Sequence, residues 1–200
     1  MAHLPAVVLM LALGARSLDN VPLTWKPTDK TNEVLNAASR ALNGRKVVLK
    51  PFTDARENKR LIGRNSEDKN KPKDVTTKDE VGAWVSTEVA RLLKDAGVAE
   101  GGDLVVSGEI TRFFVDEAEV YRAVVAVNLT VANVSGSRLW TGLVTGEAKR
   151  WGRSYKEENY MEALSDALIH AVTEWVSNPQ FVAAISGSAP AGKISGGTSP

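Results

Sequence analysis

From Asp103 to Arg150 apolar and polar residues alternate with a period of two, the mark of half-buried strands. Leu104-Val105-Val106-Ser107-Gly108-Glu109-Ile110 opens the first strand. In the second, Tyr121, Ala123, Val125, Val127, Leu129 and Val131 share one face, and Arg122, Asn128 and Thr130 share the other. Leu139 to Ala148 returns as a third. Asp116-Glu117-Ala118-Glu119 and Ser135-Gly136-Ser137 supply the turns, which predicts a three-strand antiparallel meander.

Helical periods flank the meander. Val81, Trp84, Val85, Val89, Leu92, Leu93 and Ala96 fall along one side of a helix that ends at Gly97. Thr77 and Glu80 have the form of a capping box at its start. After the meander, Leu164, Ala167, Leu168, Ala171, Val172, Trp175 and Val176 make a second stripe, started by Asn159 with Glu162 or by Ser154 with Glu157. Burying Leu164, Leu168, Val172 and Trp175 contributes ~6–12 kcal/mol as an upper bound, which makes this helix part of the core. Asn178-Pro179 restarts the chain as a short helix through Ile185, with proline in its first turn. Gly142 and Gly146 share a face of the third strand and predict a helix lying close to the sheet.

Upstream, Lys46 to Phe52 reads as a strand stopped by Pro51, and Thr31 to Asn43 as a short helix ended by Asn43-Gly44. Val21-Pro22-Leu23-Thr24-Trp25 fits a short edge strand. Thr53 to Thr76 is polar, lysine-rich and broken by Pro72, so patterning assigns it to one long loop. The fold class is therefore α+β: an antiparallel sheet, made of the meander and an earlier strand, with two main helices on one face.

Composition narrows the chemistry. A chain of 200 residues with 43% apolar content builds one sizeable core. A net charge of +1 supplies no global field toward nucleic acid or anionic membrane. The absence of cysteine excludes disulfides, thiolate metal sites, cysteine nucleophiles and thioether-linked lipid. His3 and His170 are the only histidines, and no phosphate loop, nucleophile elbow or paired-carboxylate motif occurs. The expectation is a non-enzymatic protein without a cofactor or bound metal. Trp84, Trp140 and Trp175 lie in periodic segments and read as core, while Trp151 reads as exposed.

Leu4 to Leu13 is an apolar run of about ten residues, the length of a signal-peptide core. Residues 1–14 read as a signal peptide cleaved before Ala15, 15–45 as an N-terminal extension, 46–185 as the folded domain, and 186–200 as a disordered Gly/Ser/Pro tail.

Candidate functional residues gather in the assigned loop. Asp54 and Arg56 sit at its base, where a salt bridge fixes the exit of the chain. Arg60, Arg64 and Lys69 lie further out and are placed to meet an acidic partner, with the polar sheet face around Arg122, Asn128 and Thr130 as the other surface. Glu57, Glu67, Asp68 and Asp74 offset the loop's lysines and arginines, which argues against a nucleic-acid contact. An alternative is an anion- or metal-dependent binder or enzyme using Asp54 and Arg56, or the acidic cluster Glu109, Asp116, Glu117 and Glu119. That cluster lacks the spacing of a calcium loop, and a solvated hairpin tip explains it more simply.

Several of these residues carry a family resemblance. Asp54-x-Arg56 after a strand, Ile62-Gly63-Arg64, a helix ending near Gly97, the long meander, and Asn159-Tyr160-Met161-Glu162-Ala163-Leu164-Ser165-Asp166-Ala167-Leu168 closing toward Phe181 resemble the YajG family of bacterial lipoproteins. The resemblance spans roughly Lys46 to Ile185. It implies a domain exported to the cell envelope, anchored by an N-terminal lipidated cysteine, and it brings no catalytic residues. Here Leu11-Ala12-Leu13-Gly14-Ala15-Arg16 stands where that cysteine would be, so the expectation shifts to the periplasm or the periphery of the outer membrane. The implied partner is an envelope protein or envelope component.

Overall fold

The structure is a computed structural model and describes residues 17–152 and 154–187. The signal-peptide assignment lies outside the described residues, and so does the tail beyond Gly187.

In chain order the elements are α1 (Asn32–Ala41), β1 (Lys46–Leu49), β2 (Thr53–Asp54), β3 (Leu61–Asn65), β4 (Lys73–Thr76), α2 (Val81–Asp95), β5 (Ala99–Glu100), β6 (Leu104–Glu117), β7 (Val120–Asn133), β8 (Arg138–Trp151), α3 (Glu157–Ser177) and α4 (Pro179–Ser186). The meander forms as patterned, with three strands of 14 residues each. Its first turn is tighter than the sequence predicts. Asp116 and Glu117 remain in β6, paired with Arg122 and Tyr121, which leaves the turn to Ala118 and Glu119.

β6 is the spine of the eight-stranded sheet. One edge pairs antiparallel with β7, which pairs with β8. The other edge is covered by three short parallel strands in series. β1 lies against Leu104–Val106, β2 against Glu109–Ile110, and β3 against Val115–Glu117. β5 adds to β1, and β4 returns antiparallel on β3. The stretch assigned to one long loop therefore supplies three strands, a correction to the sequence reading. The reason is visible in β3. Its buried positions are Ile62, Gly63 and Asn65, too polar to register as an apolar period. A Cβ on Gly63 would lie 2.6 Å from Tyr160 Cε1 and 2.9 Å from the Val115 carbonyl oxygen, so this strand fits the core only with glycine there.

The helices cover one face. Every residue of the row Tyr121, Ala123, Val125, Val127, Leu129, Val131 is buried, while Arg122 and Asn128 point to solvent. Val89 of α2 and Leu168 of α3 meet Val127 and Leu129 around one small internal gap. Gly146 allows α3 to sit directly on β8, since a Cβ there would collide with the Ala167 carbonyl and the Ala171 amide. Gly142 serves differently. The Trp140 ring folds over it, 2.5 Å from where a Cβ would be.

Local details also differ from the sequence reading. Glu80 takes the N-cap position of α2 without a side-chain bond, and the Thr77 hydroxyl accepts from the Asp79 amide instead of closing a capping box. Lys156 takes the N-cap of α3, so neither predicted capping pair operates there. The Asn178 cap of α4 forms, with Oδ1 accepting from the Gln180 and Phe181 amides. Val21 to Trp25 runs extended but forms no strand; its start lies along β4, where Leu18 bridges Val75 and the Val21 N–H donates to the Thr76 carbonyl at 2.8 Å. Further on, side chains take the amides: Leu23 N–H donates to Asp79, just ahead of α2, and beyond the segment Lys26 N–H donates to Ser165 and Thr28 and Asp29 N–H to Asp166, both on α3. Pro22 and Pro27 interrupt any regular ladder in this segment.

Candidate functional site

Asp54 and Arg56 form a buried ion pair, each side chain 8% exposed. Arg56 Nε and Nη2 donate to the two Asp54 oxygens at 2.9 and 2.8 Å. Nη1 donates to the Leu61 and Phe113 carbonyls, and Nη2 also to the Lys59 carbonyl. All five guanidinium hydrogens are thus engaged, and the Phe113 ring lies 5.6 Å beneath the charge. Desolvating two charges is offset only by such complete bonding. The pair fixes the crossover from β2 to β3 and docks it on β6. It has no group left to offer a partner, so both residues drop from the candidate contact set.

Beyond the clamp, β3 and β4 form a rigid hairpin. Arg64 Nε donates to Asp74 Oδ1 at 2.7 Å across its two strands. The tip, residues 66–72, is pinned at its start. Ser66 N–H donates to the Glu117 carbonyl at 2.6 Å, and its hydroxyl to Asp116 at 2.9 Å. Asp68 caps the turn by accepting from the Asn70 amide. Arg60 is drawn back to Asn20, and Lys73 sits over the Tyr155 ring. Lys69 and Lys71 stand exposed at the tip without an ion-pair partner among the described residues. The structure therefore separates the predicted residues: Arg60 and Arg64 support the hairpin, and Lys69 presents it.

The acidic cluster is divided by strand alternation. Asp116 and Glu109 face solvent, while Glu117 points inward and is fully buried. Its carboxylate accepts from the Tyr160 hydroxyl at 2.6 Å and from the Tyr155 amide at 2.9 Å. Burial first, and then Glu117, push the Tyr160 hydroxyl far above the ordinary tyrosine pKa. Glu117 is therefore a structural anchor and not part of a solvated tip. No group of three or more Asp, Glu or His side chains is placed to hold a metal among the described residues. His170 lies at the free edge of β8, its Nδ1 2.5 Å from the Glu147 carbonyl and its Nε2 2.9 Å from Asp29.

One feature has no sequence signal. A groove of about 510 Å³ runs between β1 and α2, walled by Val48, Leu49, Ala90 and Leu93. Its walls come from segments far apart in the chain, each of which reads from sequence as ordinary strand or helix.

No protein-family model matches the sequence, and no curated protein is similar enough to stand as a relative. Among solved structures, the crystal structure of a Xanthomonas campestris protein of family DUF330 is similar, with a TM-score of 0.54 and 14% identity. That similarity covers 72% of this chain and 88% of the Xanthomonas chain, and it shows a shared fold. A Caulobacter crescentus structure described as "a putative lipoprotein" overlaps more loosely, with a TM-score of 0.37 and 11% identity over 79% of this chain and 99% of its own.

Proposed function

We propose that this chain is a non-enzymatic binding domain of the bacterial cell envelope whose β3–β4 hairpin meets an acidic surface on a partner protein or envelope component. The observation that carries the reading is the pairing of a rigid base with an open tip. The Arg56 clamp and the Tyr160 ring hold the hairpin from below, while Lys69 and Lys71 project into solvent. Charged groups on a supported projection bind with little ordering cost. The envelope assignment is supported by the apolar run Leu4–Leu13 and by the YajG-like pattern, whose Asp54, Arg56 and Gly63 are residues this hairpin is built on. Among the described residues no helix is long and apolar enough to cross a membrane.

A photo-crosslinking amino acid at Asn70, introduced in the native host, tests the reading. A discrete adduct is expected, lost in Lys69→Glu/Lys71→Glu, with the chain recovered in the envelope fraction. An adduct that survives charge reversal would move the site elsewhere, and recovery in the cytosol would remove the envelope assignment.

A further inference from the structure

The helices pack on one face of the sheet and leave the other face of the meander open, the side of Arg122 and Asn128. An antiparallel sheet commonly gives one face to water, and that face is then polar. Here Leu143 and Trp151 stand on it, 57% and 87% exposed, the most exposed large apolar side chains among the described residues. Val48, opposite Val105, borders it. Three strands of 14 residues present a face of roughly 48 Å by 14 Å, or about 670 Å² in projection. Projecting side chains raise the accessible area above that figure. A standard stable interface takes about 800 Å² from each partner, so the face is large enough for one.

Charge on this face alternates in sign along the strands. In the cross-strand row Asp116, Arg122, Lys149 the two cations outweigh the acid by one charge. The next row carries only Glu147, the third only Arg112, and the fourth only Glu109. All six side chains are exposed, and none enters an ion pair among the described residues. Arg122 and Lys149 lie directly opposite each other, which is unfavourable without a counter-charge from outside. A uniformly acidic or basic partner would meet its own sign at two of the four rows.

We propose that this face is a homodimer interface, in which a second copy of the chain stacks sheet on sheet with its β7 antiparallel. The two-fold axis runs across the strands between Val124 and Ala126. It sets the first row on the fourth and the second on the third, so each positive row meets a negative one. An axis along the strands would set every row on itself, like charge on like. Stacking also takes Leu143 and Trp151 out of water. The contact is separate from the β3–β4 hairpin and stands without it.

Sedimentation velocity of the full chain, from about 1 µM to about 1 mM, tests the inference, and a dimer should form as concentration rises. Leu143→Asp and Arg122→Glu change exposed residues, so both should melt with the parent. Each should weaken the dimer roughly tenfold or more, Arg122→Glu because its row turns negative and meets the Glu109 row. Adding Glu109→Lys to Arg122→Glu reverses the facing row as well and should restore the dimer. The chain has no cysteine, so Ser135→Cys takes a single spin label, ten residues from the axis. Antiparallel copies should hold the two labels roughly 60–70 Å apart, whereas an axis along the strands would bring them within roughly 20 Å. A monomer at every concentration overturns the inference and leaves the face to a different protein. So does a dimer that Arg122→Glu leaves intact, a charge swap that restores nothing, or a pair of labels lying close together.

Discussion

The Tyr160 hydroxyl donates a 2.6 Å hydrogen bond to the Glu117 carboxylate, and neither residue has solvent-accessible surface. This bond joins the first turns of α3 to the last residue of β6. The same carboxylate accepts from the amide of Tyr155, which is held at φ +41°. The Tyr160 ring also packs edge-on against Tyr121, with centroids 5.2 Å apart, and presses on Gly63. One buried acid thus ties the helical layer, the meander and the hairpin base together. Tyr160→Phe keeps the ring and removes the donor, leaving a buried carboxylate short of a partner. The expected loss is about 1–3 kcal/mol in urea unfolding. A change within error would mean that Glu117 reaches water.

The same residue sets an alkaline limit. Because the folded pKa of Tyr160 lies above the ordinary value of 10.0, the native state keeps its proton while the unfolded chain ionises. Stability is then fully present below that value and falls as pH rises above it, by up to about 1.4 kcal/mol per pH unit for one proton. Urea midpoints between pH 9 and pH 11 should fall more steeply for the parent than for Tyr160→Phe. Equal slopes would assign the alkaline loss to other groups.

Arg56→Lys should not behave conservatively. Lysine offers three donors where five are used, and it cannot form the paired contact with Asp54. Breaking a buried ion pair of this kind costs about 3–5 kcal/mol. The hairpin should loosen first, so amides of β3 and β4 should exchange faster than those of β7. A fully stable lysine variant would show that Asp54 can be satisfied without the guanidinium.

Glu88 acts in the opposite sense. It is 4% exposed on α2, with Arg91 Nε 3.2 Å away as its ion-pair partner. Burial pushes its carboxyl above the ordinary value of 4.5, against the pull of Arg91. Ionisation of Glu88 therefore costs stability as pH rises through and above 4.5, and protonation restores it. Glu88→Gln should raise the melting temperature at pH 7 and leave it unchanged near pH 3. A lower melting temperature at pH 7 would show that the Arg91 pair outweighs burial.

The free edge of β8 is protected by side chains of α3. Glu174 accepts from the Thr145 amide, and His170 bonds the Glu147 carbonyl. Uncapped edges template pairing with other chains. His170→Ala/Glu174→Ala should change stability by no more than about 1 kcal/mol, since both sites are exposed. It should raise light scattering on warming at high protein concentration. An unchanged scattering curve would show that the edge is shielded by other means.

Much of the architecture is written locally. The inward row from Tyr121 to Val131, the stripe from Leu164 to Val176, the Asn178 cap and the exposed Trp151 all follow from residue periods and turn chemistry within one segment. Gly146 signals the close approach of α3 for the same reason, because only the missing Cβ matters. The 53–76 stretch does not follow from sequence. β3 and β4 are strands because β6 offers them an edge and Tyr160 requires a glycine beneath its ring, and neither condition lies within the stretch itself. Replacing residues 58–73 with a flexible linker would therefore remove sheet and core together. Glu117 has the same origin: whether an acid belongs inside or out depended on a hydroxyl 43 residues away. Periods report the face a residue prefers. The partners that make a buried charge tolerable, and the groove left between β1 and α2, exist only once distant segments are packed together.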